Sequence, residues 1–170
     1  AIALDPEFAE AYSGMADSYS MMGVYSFMDV DVSYPKAREF AIESITRNSN
    51  LAEAYVALAW IQFAYDWKFK ESEKNYSKAI EIDPKNALAW HNKGNRLAEL
   101  EKYEEAIKCY DKATELDPKY VSTWYNKGLA LDNLGKREEA IECYDKAIEM
   151  DPKNASAWIN KGVALAKLDK

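Results

Sequence analysis

Small and aromatic residues recur along this chain with the spacing of a helix, and the pattern itself recurs every 34 residues. Trp90, Gly94 and Leu97 stand at positions i, i+4 and i+7, and after a short break Ala106 and Tyr110 begin a second set. A helix advances about 100° per residue, so each set forms one stripe along its helix. Gly94 and Ala106 have almost no side chain, which allows two helix backbones to approach closely. The pattern therefore predicts two amphipathic helices that face each other in every period.

The period is marked by sequence identity as well as by spacing. Residues 87–120 and 121–154 are identical at 20 of 34 positions, and each period closes on Asp-Pro at 83–84, 117–118 and 151–152. Proline lacks a backbone N–H and restricts the residue before it, so each of these prolines should end a helix. A fixed period of this length predicts a helical repeat array.

The repeat extends upstream with interruptions. We expect a single array over residues 1–170, divided into the tail of a preceding repeat at 1–8, units at 9–50, 52–86, 87–120 and 121–154, and a half unit or capping helix at 155–170. An insertion near 24–35 breaks the period in the first unit, and loops of this kind often carry binding specificity. Because both ends cut through a unit, we expect the array to be a piece of a longer protein.

The repeating residues resemble those of the tetratricopeptide repeat family. Its signature is a Trp-x-x-x-Gly first helix, an Ala-x-x-x-Tyr second helix and a closing Asp-Pro, all present in 87–120 and 121–154 and looser in the earlier units. The resemblance implies an all-α fold, a right-handed superhelical solenoid of antiparallel helix-turn-helix units. It also implies that the first helices line a concave surface on which members of the family hold peptides.

Candidate binding residues are those on the first helices that point away from the core stripe. They are His91, Asn92, Asn95, Tyr125, Asn126, Leu129, Asn133, Ile159, Asn160 and Val163. Asn92, Asn126 and Asn160 recur at the 34-residue period, and an amide both donates and accepts, so such a ladder can pair with successive peptide groups of an extended ligand. Alternatively, these asparagines belong to the family consensus and bond within their own array.

Two sets of apolar residues on the first helices also have two interpretations each. Tyr125, Leu129, Ile159 and Val163 lie where a solvated helix would carry charge, so they form a contact site or pack against a further repeat or downstream chain. In the unit at 52–86, a similar set either extends an apolar groove or is buried against the insertion: Val56, Trp60 and Phe63.

Composition and charge exclude several classes of function. The chain has 29 acidic and 22 basic residues, a net charge of −7, which disfavours nucleic acid and anionic membranes. Its 2 cysteines and 1 histidine are too few for a disulfide framework or a zinc site. His91 has no companion nucleophile at catalytic spacing, so we expect no enzyme, no metal and no cofactor. Cys109 and Cys143 are expected to be buried and unpaired.

The sequence therefore predicts a cytoplasmic, non-enzymatic protein-interaction scaffold that binds a peptide or partner segment on its concave face. A basic clamp for a C-terminal carboxylate is not expected, because no basic pair occurs at the positions that would carry it: Ser13, Asp17, Val56, Trp60, His91, Asn95, Tyr125 and Ser156. The alternatives are a structural spacer, a module that self-associates through its open array ends, or a regulatory array attached to an enzyme or signalling domain outside this segment.

Overall fold

The computed structural model describes residues 5–168, which contain nine α-helices and no strand. The helices are α1 Ala9–Val24, α2 Val30–Arg47, α3 Ala52–Ala64, α4 Phe69–Ile82, α5 Ala87–Glu99, α6 Tyr103–Leu116, α7 Val121–Asn133, α8 Arg137–Met150 and α9 Ala155–Leu168. The predicted all-α helical repeat is confirmed. Of the predicted segments at the two ends, residues 1–4 and 169–170 lie outside the described part.

The chain forms two compact bodies, Ala1–Ala89 and Trp90–Lys170, which we call the N-terminal and C-terminal bodies. In the N-terminal body, α1 packs against α2 and α3, and α3 packs against α4. In the C-terminal body, α7 packs against α6 and α8, and α8 packs against α9.

Close contact between glycine and tyrosine sets the core of each C-terminal repeat. A Cβ built on Gly94 would lie 2.6 Å from Cε1 of Tyr110, and one on Gly128 would lie at the same distance from Cε1 of Tyr144. Both tyrosines are almost completely buried. The glycines are therefore required by packing, as the Trp-x-x-x-Gly spacing predicts.

The repeated Asp-Pro turns have a local explanation. The carboxylates of Asp83, Asp117 and Asp151 each accept a hydrogen bond from the backbone N–H two residues later, at 3.0–3.1 Å. Asn48, where the aspartate is missing, makes the same turn with its amide oxygen, which accepts from Asn50 N at 2.9 Å. The irregular unit keeps the turn because asparagine and aspartate share this oxygen.

Three connections between helices contain one residue in the left-handed region at the same repeat position. Trp67, Glu101 and Gly135 have φ values of 56°, 59° and 78°. Of these three, only Gly135 has no Cβ, so only there does the left-handed conformation carry no steric cost.

The insertion near 24–35 does not form the long loop expected from the sequence. Its residues mostly lengthen α1 and α2, and Pro35 lies inside α2. Asp29 caps α2 by accepting a hydrogen bond from Asp31 N at 2.8 Å. Gly23 lies close against the buried Ser33, so the two lengthened helices stay in contact. Only the short turn between them is left to a loop.

Candidate functional site

The predicted binding residues all lie in the C-terminal body, on α5, α7 and α9. They occupy three repeat positions: His91, Tyr125 and Ile159 at the first, Asn92, Asn126 and Asn160 at the second, and Asn95, Leu129 and Val163 at the third. Asn133 stands apart at the end of α7, where its exposed amide donates to the carbonyl of Leu129 at 2.8 Å. The members of each set differ in burial and in the groups they bond.

His91 is buried, with 4% of its surface exposed, and both its ring nitrogens are engaged. Nε2 lies 3.0 Å from Asn95 Nδ2, and Nδ1 lies 2.9 Å from Oγ1 of the fully buried Thr123. Because an amide nitrogen can only donate, Nε2 accepts and the ring proton sits on Nδ1, which donates to the threonine. His91 is therefore a structural hydrogen-bonder beneath the surface, although the sequence places it among the candidate binding residues.

Burial also fixes the charge of this ring. Loss of solvation lowers the pKa of His91 from 6.5 to about 4. At neutral pH the imidazole is uncharged, which suits the single-proton arrangement of its two hydrogen bonds.

Asn95 joins this histidine to the neighbouring helices. Its Oδ1 accepts from the hydroxyl of Tyr110 at 2.9 Å and from Nδ2 of Asn126 at 2.8 Å, while its Nδ2 donates to His91. The cluster of His91, Asn95, Tyr110, Thr123 and Asn126 is a polar network within the C-terminal body. Neither Thr123 nor Tyr110 is among the candidate residues predicted from the sequence.

The signal that could have identified Thr123 is its register. Ala89 and Ala157 occupy its repeat position in the neighbouring units. Threonine replaces alanine only in the unit that follows the one carrying His91. When two positions depart from the repeat pattern together, as His91 and Thr123 do, the two side chains are expected to be in contact.

The asparagine series bonds partly within its own body. Asn126 donates to Asn95, and Asn160 Nδ2 donates to the hydroxyl of Tyr125 at 2.9 Å. These bonds use one N–H of each amide and leave the amide oxygen without a partner among residues 5–168. The two side chains are thereby oriented, and each retains an acceptor that a peptide N–H can use.

The apolar residues of α7 and α9 form a graded surface. Tyr125 and Leu129 are half-buried against the core around Tyr144, whereas Ile159 and Val163 are 64% and 44% exposed. The bond between Asn160 and Tyr125 links the two helices across this surface. We call the surface formed by Tyr125, Asn126, Leu129, Ile159, Asn160 and Val163 the α7/α9 face.

A different side of α9 is also exposed. Trp158 and Leu165, which repeat the core positions of earlier units, are 52% and 44% exposed. A Cβ on Gly162 would meet nothing within 4 Å, whereas the equivalent Gly128 faces Tyr144. These residues form the open core side of α9, where earlier units place a tyrosine-bearing second helix.

In the N-terminal body Val56 of α3 is buried, and Trp60 and Phe63 are half-buried. Val56 is 6% exposed and lies in a core with Tyr76, and Trp60 packs against the core that contains Tyr34 at the start of α2. Phe63 lies between Trp60 and Phe69, with ring centroids 6.0 and 6.1 Å apart. Val56 is therefore buried against α4 rather than the insertion, and of the three residues only Trp60 packs against the insertion, at Tyr34.

Several predicted absences concern chemistry. Cys109 and Cys143 are free and buried, as expected, and burial raises the pKa of Cys143 to about 11. Among the described residues no group of three or more His, Cys, Asp or Glu side chains could hold a metal ion. Between residues 5 and 168 no helix is long and apolar enough to cross a membrane.

This arrangement defines an all-α helical-repeat protein. Models of the tetratricopeptide repeat match residues 94–135, 121–154, and 75–108 with 143–170, which together cover more than half of the chain. The chain belongs to the tetratricopeptide repeat family, a family of protein-interaction scaffolds that are generally non-enzymatic. A search of curated proteins finds no match.

Solved structures share the fold at low sequence identity. YrrB, described as a TPR protein with an unusual peptide-binding site, is 24% identical over 99% of this chain and 81% of its own, with a TM-score of 0.75. PilF of Pseudomonas aeruginosa is 23% identical over 94% and 71%, with a TM-score of 0.78. The first TPR of Spaghetti (RPAP3), bound to the HSP90 peptide SRMEEVD, is 24% identical over 72% and 97%, with a TM-score of 0.69.

Proposed function

We propose that the C-terminal body binds a peptide or partner segment on the α7/α9 face, the concave face expected for the family. The observation that carries the proposal is the exposure of Ile159 and Val163 beside the half-buried Tyr125 and Leu129. Apolar surface joined to oriented amides is typical of a contact site. Structures of the same fold that are described as peptide-binding or peptide-bound support this function.

The roles of the predicted residues divide into two groups. Asn126 and Asn160 offer amide oxygens to the backbone of the ligand, with Asn92 and Asn133 at the margin. Ile159 and Val163 contact its side chains, and His91 with Asn95 holds the amide of Asn126 in place. This ligand differs from a carboxylate gripped by basic residues, because no lysine or arginine belongs to the face.

The chain offers a matched control for testing this proposal. Val163 and Leu165 lie two residues apart on α9 and are both 44% exposed, but only Val163 belongs to the α7/α9 face. Peptides selected from a random library on the purified chain are labelled, and their affinity is measured by fluorescence anisotropy. Val163→Ser combined with Ile159→Ser should weaken binding about tenfold or more, as expected for the loss of two partly buried aliphatic contacts.

Leu165→Ser should change this affinity by less than about twofold. Equal losses in both variants would mean that the peptides bind elsewhere on α9, and the α7/α9 face would then be rejected. Circular dichroism of each variant confirms that the helices remain formed.

Self-association is a second candidate function, supported by the open core side of α9. Trp158, Gly162 and Leu165 expose the positions that Tyr144 and its helix cover in the preceding unit. Sedimentation velocity over a range of concentrations tests this function. Here Leu165→Ser is the test variant and Val163→Ser is the control. Leu165→Ser should abolish any association through α9 that Val163→Ser leaves intact, and a monomer at all concentrations would exclude this function.

A further inference from the structure

Four aromatic side chains are exposed at the turns of the two helix pairs in the N-terminal body. Tyr25 and Phe27, where α1 turns into α2, are 60% and 82% exposed, and their ring centroids lie 6.3 Å apart. Trp67 and Phe69, where α3 turns into α4, are 74% and 36% exposed, with centroids 6.0 Å apart. We call the surface formed by these four residues the aromatic edge. It shares no residue with the α7/α9 face or with the open core side of α9.

Contacts made by Tyr65 and its neighbour hold the two turns side by side. The ring of Tyr65 stacks on Tyr34 of α2 with 5.2 Å between centroids, and its hydroxyl donates to Oδ1 of Asp31 at 2.9 Å. Asp66 forms an ion pair with Arg38 of α2. The turn between α3 and α4 is therefore fixed to the first half of α2, and both pairs of rings belong to one edge of the N-terminal body.

Hydrogen bonds order the backbone of each turn. The N–H groups of Phe27 and Met28 both donate to the carbonyl of Met22, at 2.9 and 3.1 Å, and Lys68 N donates to the carbonyl of Gln62 at 2.8 Å. The exposed rings are thus carried by a backbone that is already fixed. Such an arrangement lowers the entropic cost of binding.

The apolar area of this edge indicates the strength of contact that it can make. The four residues expose on the order of 500 Å² in total, since an aromatic side chain has about 150–250 Å² of surface. The largest apolar patch on a typical monomer covers about 300–600 Å² and often has a function. A stable interface buries about 800 Å² on each partner. The aromatic edge is therefore large enough for a weak contact and too small for a permanent one.

The two ends of the aromatic edge carry charges of opposite sign. Asp29 and Asp31 are exposed beside the first pair of rings, and no basic residue occurs between positions 5 and 35. Lys68 and Lys70 are exposed beside the second pair, where Glu71 offsets part of their charge. Neither the two aspartates nor the two lysines form an ion pair within residues 5–168. One end is therefore acidic and the other basic.

We propose that the aromatic edge binds the same edge of a second copy of this chain about a two-fold axis. A two-fold contact places a patch against its own equivalent in the opposite direction. The acidic end of each copy then faces the basic end of the other, and the rings of both copies pack between these ends. A surface of one charge, such as an anionic membrane or a uniformly basic partner, would be repelled by one of the two ends.

Sedimentation equilibrium of the full chain over a range of concentrations measures this contact. Phe27→Ser should raise the dissociation constant of the dimer at least about tenfold, because a two-fold contact loses the same ring twice. Ile42→Ser is the matched control, since it removes an aliphatic residue of α2 that is 48% exposed outside the edge. It should change the dissociation constant by less than about twofold. Circular dichroism of each variant confirms that the helices remain formed.

Charge variants test the orientation of the two copies. Lys68→Glu with Lys70→Glu makes both ends acidic. Asp29→Asn with Asp31→Asn makes one end neutral, while the amide oxygens can still cap α2 and accept from Tyr65. Each double variant alone should associate about tenfold or more weakly than the native chain. An equimolar mixture should associate more strongly than either variant alone, because the acidic end of the first then faces the intact basic end of the second.

Four results would overturn the proposal. The first is a monomer at all concentrations, and binding of that monomer to phosphatidylcholine vesicles, lost in Phe27→Ser, would assign the edge to a lipid surface. The second is an equal effect of Phe27→Ser and Ile42→Ser, and the third is a mixture that associates no more strongly than its components. The fourth is association that Leu165→Ser abolishes and Phe27→Ser leaves intact, which would belong to the open core side of α9. Loss of peptide binding on the α7/α9 face would leave these outcomes unchanged.

Discussion

Lowering the pH from 7.5 to 5 should destabilise the C-terminal body through one side chain, His91. In the folded chain its pKa is about 4, compared with 6.5 for the ordinary side chain, because the ring is buried. As the pH falls below 6.5, His91 binds a proton in the unfolded state, whereas in the folded state it does so only near pH 4. The stability that neutral His91 contributes is therefore fully present above pH 6.5 and is lost progressively below it. At pH 5 the loss from this shift is about 2 kcal/mol.

Urea denaturation followed by circular dichroism measures this loss in the native chain and in His91→Gln. The variant replaces the ring with an amide that does not titrate, so its free energy of unfolding should lack this component. Carboxylates contribute to both proteins and cancel when the two pH differences are subtracted. The native chain should lose about 2 kcal/mol more than the variant between pH 7.5 and 5.

A second measurement examines the ring directly. The chain has one histidine, so its imidazole signal can be followed by NMR without an assignment problem. A midpoint near 6.5, together with equal pH dependence in His91→Gln, would refute the buried network of His91, Asn95 and Thr123. Thr123→Ala is the control that keeps the ring, and it should lower stability at all pH values.

Two further predictions use residues that occupy the same repeat position in different surroundings, and thermal or urea denaturation measures both. Gly128→Ala should destabilise the chain by about 1–3 kcal/mol, because its Cβ would collide with the buried ring of Tyr144, whereas Gly162→Ala should stabilise it by up to about 1 kcal/mol through helix propensity. Tyr110→Phe should cost about 1 kcal/mol by removing its bond to Asn95, whereas Tyr144→Phe should be neutral or stabilising, because the Tyr144 hydroxyl is buried without a partner. Equal effects within either pair would contradict the packing described here.

The periodic core could be predicted because it depends on one helix pair at a time. The spacing of Trp90, Gly94 and Tyr110 follows from helix geometry, and the glycine contact with tyrosine occurs where that spacing places it. Cysteine burial at 109 and 143 follows from the same register. Local rules are sufficient for these features because each needs only neighbouring helices of one unit.

The candidate site could not be predicted in full, because it depends on contacts between helices of different units, which the projection of a single helix does not show. His91 points away from the stripe that α5 presents to α6, but Thr123 on α7 covers it. In the insertion, helix formation depended on the cap and the close helix contact, which the count of extra residues does not reveal.

The identical contacts of Gly94 with Tyr110 and of Gly128 with Tyr144 have a consequence for how such a chain can change length. A gene segment encoding 34 residues can be duplicated so that residue 154 is followed by a second copy of 121–154, and the new junction again places a first helix after Asp-Pro. The added unit contains its own glycine, tyrosine and Asp-Pro turn, so it forms the same helix–helix contacts as the existing units. Growth by whole units is therefore a small evolutionary step for this chain, whereas insertion of a few residues within a unit requires helices to lengthen, as α1 and α2 have done.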